Sequence, residues 1–487
     1  MTRKFKFLSF FFIFLFILFI LGAVSVEKKD TGSFIQSIKS ILPVKIKSAL
    51  KETVFIIPTL SRKVKVQEVT IRNLEAKIVE MDKKIKYLLN DLDLSETKSE
   101  DIKTKSNIYN IRTFQIPYPN RKEWFGKPVA YLEQTSDEIV VASGSGEFFS
   151  FNKKDIGSHN LYLKRIKTNI EDLIKNEEFY SPSRIGIRDL LIFDNKIFFS
   201  YIKEQSYLCY NTSVMVSEFN LNYLNFSEFF AYKDCVSKKI LAKKYDKGQL
   251  SLIHSGGRMI FYKNGKILLT TGYLGNYLAA QDKNSMFGKI ISIDLETKDY
   301  EIIAMGSRNA QGLYYDKDRN LIIHTEHGPK GGDEININLE PDNKIIENYG
   351  WPISSYGEAQ PGEIWLKKQP LHKSHQNFGF IEPIKYFTPS ISISEIIKIP
   401  RTFNEKFTND FFIGALGYKS HMYQGDQSIH HIRFNENFDQ IVFEDIIPIG
   451  ERIRDMIFIK EKSIVLMILE TIPAIGILSQ STKDHNQ

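Results

Sequence analysis

From about residue 111 onward, polar and apolar positions follow one repeated pattern: an apolar run, a polar turn, then a second apolar run ending in small or polar residues. The copies are VAYLEQTSDEIVVASGSG from 129, DLLIFDNKIFFSYI from 189 and GRMIFYKNGKILLTTGYLG from 257. They continue with QGLYYDKDRNLIIHTEHG from 311, EIIKIPRTFNEKFTNDFFIGALG from 395 and RDMIFIKEKSIVLMILET from 454. Even the approach repeats, since RIGIRDLLIF at 184 echoes ERIRDMIFI at 451. Each copy reads as a β-hairpin too small to bury its own face. Units recurring about every 55 to 85 residues then argue for radial repetition. The pattern predicts an all-β, six-bladed β-propeller over residues 111–480. An up-and-down barrel would need even strands and short turns, which the irregular spacers contradict. In a propeller, loops on one face gather around the axis, so the Arg308 loop, the Glu326–Glu334 loop and the Arg452 loop can meet.

Upstream the periodicity changes. Within residues 64–94, Ile71, Leu74, Ile78, Met81, Ile85, Leu88 and Leu92 recur at spacings of three and four. That seam predicts a helical stalk, either a parallel coiled coil that makes a homodimer or an amphipathic helix packed on its own domain. Residues 95–110, SETKSEDIKTKSNIYN, read as a polar linker, and 26–63 as a juxtamembrane segment. Residues 7–24, FLSFFFIFLFILFILGAV, follow Arg3, Lys4 and Lys6. They are expected to be a single-pass transmembrane anchor, with the propeller on the extracytoplasmic, periplasmic side. The alternative is a signal peptide cleaved near Ala23-Val24-Ser25, which leaves a secreted or periplasmic protein.

Composition narrows the classes. A chain of 487 residues with 42% hydrophobic content can bury a large core. The net charge of +7 is mild and its 65 basic residues are spread out, so nucleic acid is not an expected partner. The two cysteines, Cys209 and Cys235, form no Cys-x-x-Cys, which argues against zinc and iron–sulfur sites. Whether they pair as one disulfide is left open.

The candidate chemistry sits in loops. Arg308 offers a permanent planar cation suited to a carboxylate or oxyanion, with Asn309 and Gln311 beside it. The Gly328-Pro329 turn can present carbonyl oxygens to a hard cation, and Asp333 and Glu334 offer carboxylates, a mix that calcium accepts. Arg452 and Arg454 share a strand face and add two cations. His254, beside two glycines at the start of a hairpin, is a candidate general base. Taken singly, each motif has an ordinary reading as a turn or surface pair. His372, His375, His430 and His431 read as loop or strand residues.

HSGGRM, AAQD…FGKIISID, GSRNAQGL, TEHGPKGGDEIN, NYGWPISSYGE, PSISIS, FFIGAL and GERIRDM occur in an order that resembles the soluble quinoprotein glucose dehydrogenases and aldose sugar dehydrogenases, the glucose/sorbosone dehydrogenase family. The resemblance covers about residues 115 to 480. It implies a propeller holding pyrroloquinoline quinone (PQQ) and calcium, and an oxidoreductase that converts an aldose to a lactone. By that resemblance His254 removes the proton of the sugar's C1 hydroxyl, hydride passes to PQQ, and Arg308 stabilises charge at the quinone oxygens. Asn309, Gln311, Arg452 and Arg454 match cofactor contacts, with Lys419 standing in for a family lysine whose place is taken by Gly417. Gly328 and Pro329 match carbonyl ligands of the cofactor calcium; Asp333, Glu334 and Tyr349 match a region that binds a second, structural calcium in some members. An acidic residue usually follows a glycine where this chain has Gly272-Tyr273. A glutamine of some members is Leu278, and the Leu-Thr-Asp of the last blade is replaced in MILET, 467–471. The implied function is therefore a PQQ-dependent sugar dehydrogenase with an unidentified electron acceptor. The alternative is a catalytically inactive propeller acting as a calcium- or ligand-binding module.

Overall fold

The computed structural model describes residues 66–76, 90–117, 128–180, 184–238, 241, 250–359, 371–400, 408–417, 419–420, 423–424 and 426–481. The chain divides into two compact units, residues 1–82 and 83–487. In the first, residues 66–76 form a helix whose side chains are all exposed, Ile71 and Leu74 included. Ile78, Met81, Ile85 and Leu88 of the expected seam lie outside the described residues.

Two expectations are corrected here. Among the described residues no helix is long and apolar enough to cross a membrane, so the structure gives the single-pass anchored placement no support. Residues 7–24 and 26–63, on which that placement rested, lie outside the described residues. The polar linker over 95–110 is instead a pair of antiparallel strands, Leu92–Lys103 and Ile108–Gln115. Leu92, Leu94 and Ile102 point inward while polar residues take the outward positions. Leu92 thus opens a strand rather than closing a helical seam. So sparse an apolar alternation holds as a strand because both of its edges find partners.

The second unit is all-β and propeller-like. Its inner strands pack in a ring: Ala130–Gln134 against Ile187–Phe193, then Gly256–Tyr262, Ala310–Asp316, Ile393–Ile399, Ile453–Ile459 and back to Ala130–Gln134. From each inner strand an antiparallel sheet runs outward, as in Gly256–Tyr262, Lys266–Thr271, Lys289–Asp294 and Tyr300–Met305. The first hairpin turns through three residues between the paired Tyr262 and Lys266, and Asn264 (φ 57°) and Gly265 (φ 68°) both adopt the left-handed region there. Apolar clusters fill the spaces between neighbouring sheets, for example Leu321, Ile323, Ile335, Ile396, Phe411 and Ile413.

The ring closes through the N-terminal strands. Ile108–Gln115 pairs with the last strand, Ala474–Gln480, while the start of Leu92–Lys103 pairs with Asn160–Thr168. The first and last sheets thereby become one ten-stranded sheet. A disulfide between Cys209 and Cys235 ties the tip of the Lys196–Ser206/Cys209–Glu218 hairpin to the segment that follows it.

Charge occupies the axis. Arg258 is buried with Nη1 3.0 Å from Asp189, 2.7 Å from Glu395 and 2.7 Å from Asp455, each carboxylate from a different inner strand. Its guanidinium also lies over the Tyr131 ring at 5.0 Å. Burial lowers the pKa of Arg258, but Glu395, Asp455 and Asp189 outweigh it and hold the group well above the ordinary value.

Candidate active site

The site lies where the starts of three inner strands, Gly256–Tyr262, Ala310–Asp316 and Ile453–Ile459, come within hydrogen-bonding reach of one another. Gly256 N donates to Asn309 Oδ1 at 3.0 Å, and Arg454 Nη1 donates to Gln311 Oε1 at 3.1 Å, so loops far apart in sequence meet. Gln311 Nε2 also donates to Asn309 Oδ1, at 3.1 Å. His254 sits just before Gly256–Tyr262, and its carbonyl accepts from Leu274 N. That segment crosses Gly272 so closely that a Cβ there would come within 2.0 Å of His254 O, so only glycine fits.

Arg308 Nη2 lies 3.1 Å from His254 Nε2. A guanidinium can only donate, so Nε2 accepts and the neutral imidazole carries its proton on Nδ1. Nδ1 is buried and, among the described residues, has no hydrogen-bond partner. Burial first, then the charges of Arg308, His327 and Arg184, hold His254 well below the ordinary histidine range. The guanidinium of Arg308 also donates through Nη1 to His327 O (3.1 Å) and Gly328 O (2.7 Å). Tyr273 and Trp351 present ring faces to it at 5.8 Å and 5.3 Å. Its backbone is fixed by Glu326, whose carboxylate accepts from Arg308 N at 2.7 Å and also from Asn309 N and Ser307 Oγ. Burial pushes Glu326 up to about 7 despite those donors.

The C-terminal arginines are partly neutralised. Glu470 takes Arg454 through Nε at 2.7 Å and Nη2 at 3.1 Å, and Arg452 Nη2 lies 3.6 Å away. Burial works against the charged carboxylate, but Arg454 and then Arg452 overcome it and hold Glu470 low. Arg452 Nη1 also donates to Leu416 O and Gly417 O, at 3.1 Å and 2.8 Å. Lys419 falls in a short strand, Lys419–Ser420; its side chain lies outside the described residues.

The residues expected around metal are engaged with protein. Gly328 O faces Arg308, and Pro329 is buried beside it. Asp333 accepts from Gly328 N (3.0 Å), Ser390 Oγ (2.6 Å) and Ile393 N (3.1 Å), which clasps this loop to the next inner strand. Glu334, on the opposite face of the strand, takes His375 Nε2 at 3.3 Å and Asn336 Nδ2 at 3.2 Å. The Tyr349 hydroxyl donates to Glu347 at 2.7 Å. Among the described residues no group of three His, Cys, Asp or Glu side chains could hold a metal ion.

Four site residues escaped the reading of the sequence as contributors. Tyr273 appears there only as a departure, yet its ring stacks on His254. Trp351 stands in the NYGWP motif, and its buried indole Nε1 has no hydrogen-bond partner. His327, beside Gly328, is driven down to about 4 by burial, with Arg308, Arg454 and Arg452 adding to the effect. Glu470 looked like one letter of an altered motif, and its pairing with two arginines has no signature in sequence.

A family model described as glucose/sorbosone dehydrogenase matches residues 193–471. The chain belongs to the glucose/sorbosone dehydrogenase family. It is 30% identical over 176 residues to aldose sugar dehydrogenase YliI of Escherichia coli strain K12, covering 34% of this chain and 45% of that one. To the uncharacterized protein slr1608 of Synechocystis it is 28% identical over 226 residues, 42% of this chain and 50% of the relative. The chain thus spans about half the length of these curated relatives. The solved apo-form of soluble aldose sugar dehydrogenase from Escherichia coli superposes with TM-score 0.57 at 19% identity, covering 77% of this chain and all (100%) of that one. A calcium structure of a Trichoderma reesei carbohydrate-active enzyme of family AA12 gives TM-score 0.53 at 13% identity, over 79% and 98% of the two chains. At such identities these structures show the shared fold alone.

Proposed function

We propose that this member of the glucose/sorbosone dehydrogenase family is a PQQ-dependent aldose dehydrogenase built on six blades, oxidising the C1 hydroxyl of a sugar to a lactone. The observation that carries the reading is the meeting of His254, Arg308, Gln311 and Arg454, with Arg452 joined through Glu470, at the starts of the inner strands. The donor set fits a planar polycarboxylate: three guanidinium groups, an aromatic wall of Tyr273 and Trp351, and an orphaned His254 Nδ1. Arg308, Arg452 and Arg454 would hold the anionic oxygens of PQQ, with Asn309 and Gln311 beside them. Bound PQQ supplies the two-electron acceptor that takes the hydride leaving C1.

The chain's own work is proton transfer and charge. His254 is neutral at physiological pH, so its Nε2 lone pair is available once Arg308 turns to an anionic ligand. Nε2 then accepts the C1 hydroxyl proton. Arg308, desolvated between two rings, stabilises negative charge developing on the neighbouring oxygens. Calcium does not fit equally well. The Gly328 carbonyl already accepts from Arg308, and Asp333 is saturated by protein donors, so no step is assigned to it.

A second reading, a ligand-binding propeller without turnover, is favoured by the capping of His254 Nε2 and by Tyr273 in place of an acid. Incubating the purified protein with PQQ, then measuring binding and dye reduction across a panel of aldoses, separates the two. Binding with sugar-dependent reduction supports the enzyme, and binding without reduction supports the module. Failure to bind PQQ defeats the proposed enzyme outright.

A further inference from the structure

His254 is an imidazole with little to hold its orientation. Among the described residues one nitrogen has no partner, and the other is held by Arg308, the group that an anionic ligand would draw away. The charges that act on it most come from Arg308, His327 and Arg184, and none of these is a carboxylate. Yet a general base must keep its lone pair aimed at one hydroxyl.

We propose that Tyr273 is the positioning residue for His254, fixing the imidazole by ring stacking where a hydrogen-bonded partner on Nδ1 is missing. The two rings lie 5.3 Å apart between centroids with planes 19° apart, an offset stack. The platform is itself immobile. Tyr273 N donates to Arg308 O at 3.1 Å, and its ring is buried against Tyr277 (5.2 Å) and Trp351 (5.6 Å). Gly272 locks the preceding residue directly beneath the His254 carbonyl.

Stacking and hydrogen bonding differ in consequence. A carboxylate on Nδ1 would fix the ring and also raise its proton affinity, whereas an aromatic face fixes the plane and leaves both nitrogens free. Nδ1–H is thereby kept as a donor for the ligand, and Nε2 is kept for the sugar. Arg308 also lies over the Tyr273 ring, 5.8 Å from its centroid, so one ring contacts both the base and its neighbouring cation.

This inference rests on the dehydrogenase reading for its kinetic arm but not for its spectroscopic one. Tyr273→Phe keeps the stack and Tyr273→Leu removes it. In cofactor-free protein, 13C NMR relaxation of the His254 ring, assigned with His254→Gln, should show one rigid ring orientation in the wild type and in Tyr273→Phe. Exchange between ring orientations is expected in Tyr273→Leu. With PQQ and sugar, Tyr273→Leu should lose about tenfold or more in kcat relative to Tyr273→Phe, with KM within about threefold. A rigid ring in Tyr273→Leu overturns the proposal, whatever happens to its thermal stability. So does a mobile ring in Tyr273→Phe, which would assign the role to the hydroxyl. Should the wild type bind no PQQ, the function falls while the NMR comparison still decides the role of Tyr273.

Discussion

Replacing Arg258 by methionine removes the one cation that three buried carboxylates share. Asp189, Glu395 and Asp455 approach the same Nη1 at 3.0, 2.7 and 2.7 Å, and all are nearly inaccessible to solvent. Breaking a buried pair by deleting one partner costs about 3–5 kcal/mol, because the remaining charge has neither water nor partner. With unfolding entropy of about 2.1 cal/mol/K per residue, a unit of roughly 390 residues has a slope near 0.8 kcal/mol/K, so Arg258→Met should lower Tm by about 4–6 °C. The loss should be larger at pH 8 than at pH 5, because protonation relieves the orphaned acids. Adding Asp189→Asn, Glu395→Gln and Asp455→Asn to Arg258→Met should recover most of the loss. Each of those side chains keeps an oxygen for the backbone N–H groups of Met259, Ile396 and Leu132 that the acids serve. Calorimetric or circular-dichroism melts of the four-site variant beside Arg258→Met read this directly. Equal Tm values for Arg258→Met and wild type, or no recovery in the combined variant, would refute the axial ion cluster as a stabilising unit.

Three further outcomes are expected. Replacing Cys209 and Cys235 by alanine opens a closed loop whose ends are 26 residues apart, and chain entropy then predicts a loss of about 3.5 kcal/mol, read from denaturant unfolding under non-reducing conditions. Glu133 is pushed up to about 8, chiefly by burial, so the folded state holds its proton over a range where the unfolded chain has released it. Its contribution is present below the unfolded pKa and lost as pH rises through the folded one. Wild type should therefore lose stability relative to Glu133→Gln between about pH 4.5 and 8, by at most about 1.4 kcal/mol per pH unit; parallel pH–stability curves would contradict this. Glu470→Gln should free Arg454 and Arg452 and tighten binding of PQQ by about tenfold, roughly 1.4 kcal/mol, in a fluorescence-quenching titration; unchanged or weaker binding would show that Glu470 serves the site by orienting them.

How much of this was legible beforehand differs from element to element. The hairpin repeats were visible because each apolar run buries both faces of an inner strand or one face of its neighbour, and that burial is written as composition. The strand Leu92–Lys103 was hidden because only Leu92, Leu94 and Ile102 point inward. Its stability comes from hydrogen bonds to Ile108–Gln115 on one edge and to Asn160–Thr168 on the other, which apolar periodicity does not register. At the site, His254, Arg308 and Arg454 were readable as chemistry, and the fold brings them together. Tyr273 was legible only as a missing acid, since its stacking depends on the angle at which the chain crosses Gly272. The carboxylates Asp333 and Glu334 read as a shared metal shell, but adjacent residues on a strand face opposite ways, and each found protein partners.

The shared ten-stranded sheet also sets an order of events during synthesis. Leu92–Lys103 emerges early and can pair with Asn160–Thr168 after only some 60 more residues. Ile108–Gln115, by contrast, must keep one edge open until Ala474–Gln480, the last of the described strands, leaves the ribosome. Between the synthesis of these two strands an unpaired edge is on offer. A chain truncated before residue 474 would be caught in that interval, with a template waiting for a strand that never arrives. Any other exposed strand, including one from a second truncated copy, could then take its place.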